Sequence, residues 1–107
     1  MARAMKIAIV CECLKGQCKV AHHFGLAPLV CIFEDGKEVE RTLNHAIKME
    51  RRRGRTLAEF LAQKGVQVVV GPPFQGYGNW VEELGIRYVS YPPGTPVEQV
   101  LNDLTQA

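Results

Sequence analysis

The stretch 56-TLAEFLAQKGVQVVVGPPFQGYGNWVEELGIRYVSY-91 decides the fold. It holds two copies of one local pattern: a polar cap, an amphipathic run, a glycine, then a short β-branched run. In the first copy Thr56 and Glu59 stand in capping-box spacing, and Leu57, Phe60 and Leu61 share a helical face. Gly65 offers the left-handed residue that ends a helix. Residues 66–71, "VQVVVG", then read as a strand buried on both faces. In the second copy Asn79 is the cap, Glu82 lies three residues on, Gly85 is the stop and "IRYVSY" (86–91) is the strand. Helix and strand alternating at this spacing specify crossover connections and parallel strands. A third helix follows in "TPVEQVLNDL", with Thr95 as cap, Pro96 at the first helical position, and Val97, Val100, Leu101 and Leu104 on one face.

The first half of the chain has another rhythm. "KIAIVC" (6–11) and "PLVCIFE" (28–34) are short continuous apolar runs, each reading as a buried strand. Asp35-Gly36 is a hairpin turn, and residues 37–43 alternate weakly, as an edge strand does. The expected architecture is therefore α/β. An antiparallel start and strand–helix crossovers build a mixed five-stranded sheet with helices on its faces and the first strand at its centre. The end of that strand, at Cys11, then lies near the ends of strands 66–71 and 86–91. Open α/β sheets bind ligands at such an edge.

A chain of 107 residues fits one domain, taken as 5–107, with residues 1–4 ahead of Met5 as a flexible extension. An apolar fraction of 47% and a net charge of +2 give no argument for a nucleic-acid or membrane partner. The apolar run near the N-terminus stops at Glu12, too short for a secretory signal core. The chain is therefore expected in the cytoplasm, where thiols are kept reduced. A disulfide is on that ground the least favoured account of its four cysteines.

The chemistry concentrates in "VCECLKGQCKVAHHFG" (10–25), spaced C-x-C-x4-C-x3-H-H. Thiolate and imidazole suit zinc, copper or iron–sulfur clusters, yet the spacing matches neither zinc-finger knuckles nor ferredoxin runs. Cys11 and Cys31 sit inside apolar strands and read first as small core residues. Cys13 and Cys18, beside a flexible "LKGQ" loop, read equally as ligands or as inert thiols. His22 and His23 read as surface imidazoles or as ligands. "GPPFQGYGN" (71–79) is either a tight connection or an anion cradle at a helix start, and it lacks the Walker ending. "RRRGR" (51–55) reads as solvated surface or as a site for an anionic partner.

Taken together, "MKIAIV", "HFGLAP", "FEDG", "LAEFLAQKGVQVVVGPPFQGYG" and "LGIRYVSY" resemble the dinitrogenase iron–molybdenum cofactor biosynthesis family, from Met5 to about Leu104. The resemblance implies a ribonuclease-H-like fold. It also implies binding rather than catalysis, with an anionic metal–sulfur cluster held near the HFG segment and the glycine turn. Carried over by position, His23, Phe24 and Gly25 occupy the HFG motif and Gly71 begins the turn. Pro72, Pro73 and Phe74 replace the smaller residues usual in that turn, and the cysteine cluster is outside the family pattern.

The expected function is that of a small carrier for a metal–sulfur cluster such as iron–molybdenum cofactor or its precursor. Its partner would be a cofactor-assembly protein. Cys13, Cys18 and His23 are the expected metal ligands, with Cys11 in the cofactor site alongside His23, Phe24, Gly25 and Gly71. The alternative is a zinc-binding or thiol-redox module using the same cysteines. A nuclease ranks far below both, because Glu12, Glu34 and Asp35 do not make a two-metal carboxylate set.

Overall fold

The computed structural model describes residues 5–48, 53–73 and 80–105. The expected extension at 1–4, Arg51 and Arg52 of the arginine run, and residues 74–79 of the glycine-rich turn with its Asn79 cap lie outside the described residues.

The strands are β1 (Lys6–Leu14), β2 (Gln17–Val20), β3 (Leu29–Glu34), β4 (Lys37–Leu43), β5 (Val68–Gly71) and β6 (Arg87–Ser90). The helices are α1 (Arg53–Gln63), α2 (Trp80–Glu83) and α3 (Val97–Thr105), with a 3-10 turn at His45–Lys48. The strands form one sheet in the order β4-β3-β1-β5-β6, with β2 paired to β1. β1 is antiparallel to β2 and β3 and parallel to β5. The mixed α/β sheet with a central first strand is thus present, but it has six strands rather than five.

The additional strand is β2, which begins at the last residue of the expected "LKGQ" loop and runs on to Val20, where no strand was expected. Lys15 and Gly16 both take positive φ, 53° and 82°. That is the backbone of a two-residue type I′ hairpin, whose twist matches that of the flanking strands. Asp35 and Gly36, at 54° and 80°, make the same turn between β3 and β4, as expected.

Both stop glycines end their helices. Gly65 has φ 81°, with Gly65 N–H donating to the Ala62 carbonyl and Val66 N–H to Leu61. Gly85 repeats this arrangement on Glu82 and Val81. These paired bonds satisfy carbonyls that the helix end would otherwise leave open.

The expected caps are displaced. α1 is already helical at Arg53, so Thr56 lies within the helix rather than at its start. Thr95 donates its hydroxyl to the Pro92 carbonyl at 2.7 Å, and α3 begins one residue later than expected, with Pro96 accepting from Val100.

Alternation along the strands sorts the core into two layers. Ala8, Val10, Val30, Ile32 and Val69 face α1 and α2, where Leu57, Ala58, Leu61 and Val81 meet them. Ile7, Ile9, Cys11, Cys31, Phe33 and Val70 face α3, where Val97 and Val100 close over them. Leu61 is fully buried in the first layer. Leu61→Ala should destabilise the fold by about 2–5 kcal/mol in a chemical denaturation curve.

Candidate functional site

β1 and β3 carry alternate residues to the α3 face, and two cysteines fall on that register. Ile9 pairs with Cys31 and Cys11 with Leu29, so Cys11 and Cys31 are diagonal neighbours on one face. Their sulfurs lie 3.0 Å apart and both residues are buried. One turn of the pleat further on, Cys13 faces Cys18 across the β1–β2 hairpin, with Cα atoms 4.0 Å apart. These two form a disulfide. The expectation of uniformly free thiols is therefore corrected at this pair. The cause is the hairpin register, which sets the two side chains directly opposite each other at a closely spaced position.

The four sulfurs, of Cys11, Cys13, Cys18 and Cys31, all lie within 4.8 Å of one another. Cys11 Sγ is 4.0 Å from Cys13 Sγ, which links the buried pair to the disulfide. Cys31 was expected to be a plain core residue. It is buried, but it also completes this group.

The buried pair is electrostatically uneven. The hydrogen bond between the two sulfurs, with burial second, pushes the Cys11 thiol far above its ordinary range. The same bond draws Cys31 below its usual value against the effect of burial, and the Arg41 guanidinium adds to the lowering. Arg41 is the β4 residue paired with Cys31. It also makes a two-pronged contact to Glu38, with Nε at 3.2 Å and Nη2 at 2.9 Å from the carboxylate oxygens.

A cleft of about 460 Å³ opens beside this group, between α3 and the exposed margins of β2, β3 and β4. Cys18 and Cys31 lie on its wall, with Lys19 and Arg41 as cations and Glu38 and Glu98 as anions. Soft sulfur donors next to positive charge are a set that fits an anionic metal–sulfur group.

The other expected residues lie elsewhere. His23 is exposed in the connection after β2 and is not in the four-sulfur group. His22 is also exposed, 3.3 Å from Glu12. Phe24 is buried in the α1 layer, across the sheet from the cysteines, and meets Tyr88 edge-on with ring centroids 5.6 Å apart.

The two carried-over glycines are packing positions. A Cβ on Gly25 would stand 2.8 Å from the Gly54 backbone nitrogen, so the loop and the start of α1 approach only because it is glycine. A Cβ on Gly71 would stand 2.5 Å from the Tyr88 hydroxyl, which donates to the Pro72 carbonyl at 2.6 Å.

The family described as dinitrogenase iron-molybdenum cofactor matches residues 5–107. The chain belongs to that family. No curated protein matches it. Among solved structures, the apo form of the orange protein from Desulfovibrio gigas superposes with a TM-score of 0.83 at 20% identity, covering 98% of this chain and 91% of that one. A NifB-like protein from Thermotoga, described as belonging to the DUF35 family, gives a TM-score of 0.66 at 19% identity, over 95% of this chain and 87% of that one. At such identities these two establish the shared fold.

The motif glycines give a direct test of the packing account. Gly25→Ala should lower stability by about 1–3 kcal/mol, read as a fall in melting temperature. The obstruction at position 25 is backbone, which has no rotamer by which to yield.

Proposed function

We propose that this chain binds and carries an anionic metal–sulfur cofactor, or a precursor of one, in the cleft between α3 and the cysteine-bearing face of the sheet. The observation that carries the reading is the convergence of four cysteine sulfurs, two of them (Cys18 and Cys31) on the wall of that cleft beside Arg41, in a member of the iron–molybdenum cofactor family. The cavity volume falls within the range of small-ligand sites, about 300–1,000 Å³. Thiolates suit iron, molybdenum and copper, and Arg41 and Lys19 offset the charge of a sulfide-rich cargo.

Within this proposal reduction of the Cys13–Cys18 disulfide frees both thiols for the ligand roles that the sequence suggests, and Cys31 joins them; His23, outside the four-sulfur group, keeps its suggested role toward a cargo that extends past that group. Cys11 lies buried against Cys31 behind the cleft, while Phe24, Gly25 and Gly71 hold the HFG loop and the end of β5 in place by packing. The reading is one of carriage rather than catalysis. It includes a cytoplasmic setting and a cofactor-assembly protein as the partner that receives the cargo. Apart from β2, the strand order supports the ribonuclease-H-like description, with an antiparallel second strand beside a central first one.

Anaerobic reconstitution of the dithiol-reduced protein with iron, molybdate and sulfide, followed by metal analysis and visible absorbance, tests the proposal. The expected result is stoichiometric uptake that weakens about tenfold in Arg41→Ala, the effect of losing one charge-assisted contact. Undiminished uptake by the combined Cys13→Ala, Cys18→Ala and His23→Ala variant would overturn the ligand assignment.

A further inference from the structure

We propose that the Cys13–Cys18 disulfide is a reducible latch on a second binding mode: once it opens, Cys11, Cys13, Cys18 and Cys31 together take up one zinc ion. This rests on the metal-binding reading of the cysteines and is independent of which cofactor the cleft carries.

The geometry favours a single ion at the four-sulfur group. Zinc bound by four thiolates has Zn–S bonds of about 2.3 Å, which sets the edges of the sulfur tetrahedron at about 3.8 Å. In this structure no two of the four sulfurs are more than 4.8 Å apart. The Cys11–Cys13 separation of 4.0 Å is close to a tetrahedron edge already. Opening the disulfide lets Cys13 and Cys18 move apart toward that spacing, and small side-chain rotations bring the remaining pairs to it. A cluster with several metals and its own sulfides spreads its cysteine ligands wider than this. A bulky cofactor therefore meets Cys18 and Cys31, the two cysteines that line the cleft, whereas a lone ion is enclosed by all four. A tetrahedral all-sulfur donor set selects zinc among the common divalent ions.

Access and charge agree with this assignment. Cys11 and Cys31 are buried and come from two strands of the central sheet, so they form a rigid half-site. Cys13 and Cys18 are half-buried on the outlying hairpin, where a reductant reaches them. A zinc ion with four thiolates carries two negative charges, and Arg41, paired with Cys31 across β3 and β4, stands next to them.

The chemistry balances with an external dithiol as reductant. One thiolate of the dithiol attacks a sulfur of the Cys13–Cys18 bond, and its second thiol resolves the mixed disulfide. The dithiol leaves oxidised, and Cys13 and Cys18 gain two electrons and two protons between them. Zinc then displaces four protons from the four thiols. Affinity should therefore rise with pH, because each coordinating sulfur must lose its proton.

Cobalt(II) serves as the spectroscopic probe. Protein reduced with a dithiol, freed of it anaerobically and titrated with Co²⁺ should bind one equivalent. It should show the intense visible bands of tetrahedral cobalt together with thiolate-to-metal charge transfer, and zinc should bleach both. Disulfide-containing protein should show neither. Cys31→Ser, which leaves the disulfide able to form, should weaken binding at least tenfold. A normal thermal melt and hairpin disulfide in Cys31→Ser separate ligand loss from misfolding. Equal cobalt binding by the oxidised and reduced proteins, or an unchanged spectrum in Cys31→Ser, would overturn the proposal. Cobalt uptake without iron–molybdenum uptake would instead count against the cofactor reading alone.

Discussion

Strand β1 pairs with three neighbours, and the rest of the molecule is arranged around that fact. Lys6–Cys11 pair with β3, Ile7–Ile9 also pair with β5, and Cys11–Leu14 pair with β2. Because side chains alternate across a sheet, this pairing fixes which residues look toward α1 and which toward α3. A slip of one residue would turn Cys11 and Cys13 onto the α1 face and drive Ala8 and Val10 into the α3 layer, breaking the packing of both. Burial on both faces of β1 opposes such a slip, so the register that stabilises the sheet also positions the sulfurs.

The site draws on two kinds of support. The buried half, Cys11 and Cys31, sits on paired strands in the middle of the α3 layer. The outer half is Cys13, near the end of β1, and Cys18, on the four-residue β2 joined to it by a two-residue turn. That strand is tied down at its far end, where Val20 N–H donates to the Thr95 carbonyl and Gly94 N–H to Val20. The entry to α3 thus braces the hairpin, and α3 forms the other wall of the cleft. A bound cargo or ion would stiffen a region whose outer part is otherwise held by few strand bonds.

Much of the fold was legible because it is written in local signals. Asp35-Gly36, Gly65 and Gly85 mark turns and helix ends, and the β-branched runs mark the central strands. The miss at β2 was also local. Lys15-Gly16 makes the same turn as Asp35-Gly36, but lysine is a weaker turn signal than aspartate, and "QCKV" is short and polar. The glycine in the second turn position was the available clue. The helix starts were misplaced for a different reason: α1 extends ahead of Thr56, and the Thr95 hydroxyl bonds back to Pro92.

The candidate site was half legible. The composition of residues 10–25 drew attention to Cys13 and Cys18, but Cys31 belongs with them only through the antiparallel register of β1 and β3. That register spans 20 residues of sequence between Cys11 and Cys31, and no motif spacing encodes it. His23 looked like a partner because it is near in sequence, while its neighbour Phe24 packs on the opposite face of the sheet. The most direct test of the convergence of four sulfurs is zinc-edge X-ray absorption on the reduced, zinc-loaded protein. The account predicts a single shell of four sulfurs at about 2.3 Å. A shell containing nitrogen or oxygen, or fewer than four sulfurs, would contradict it.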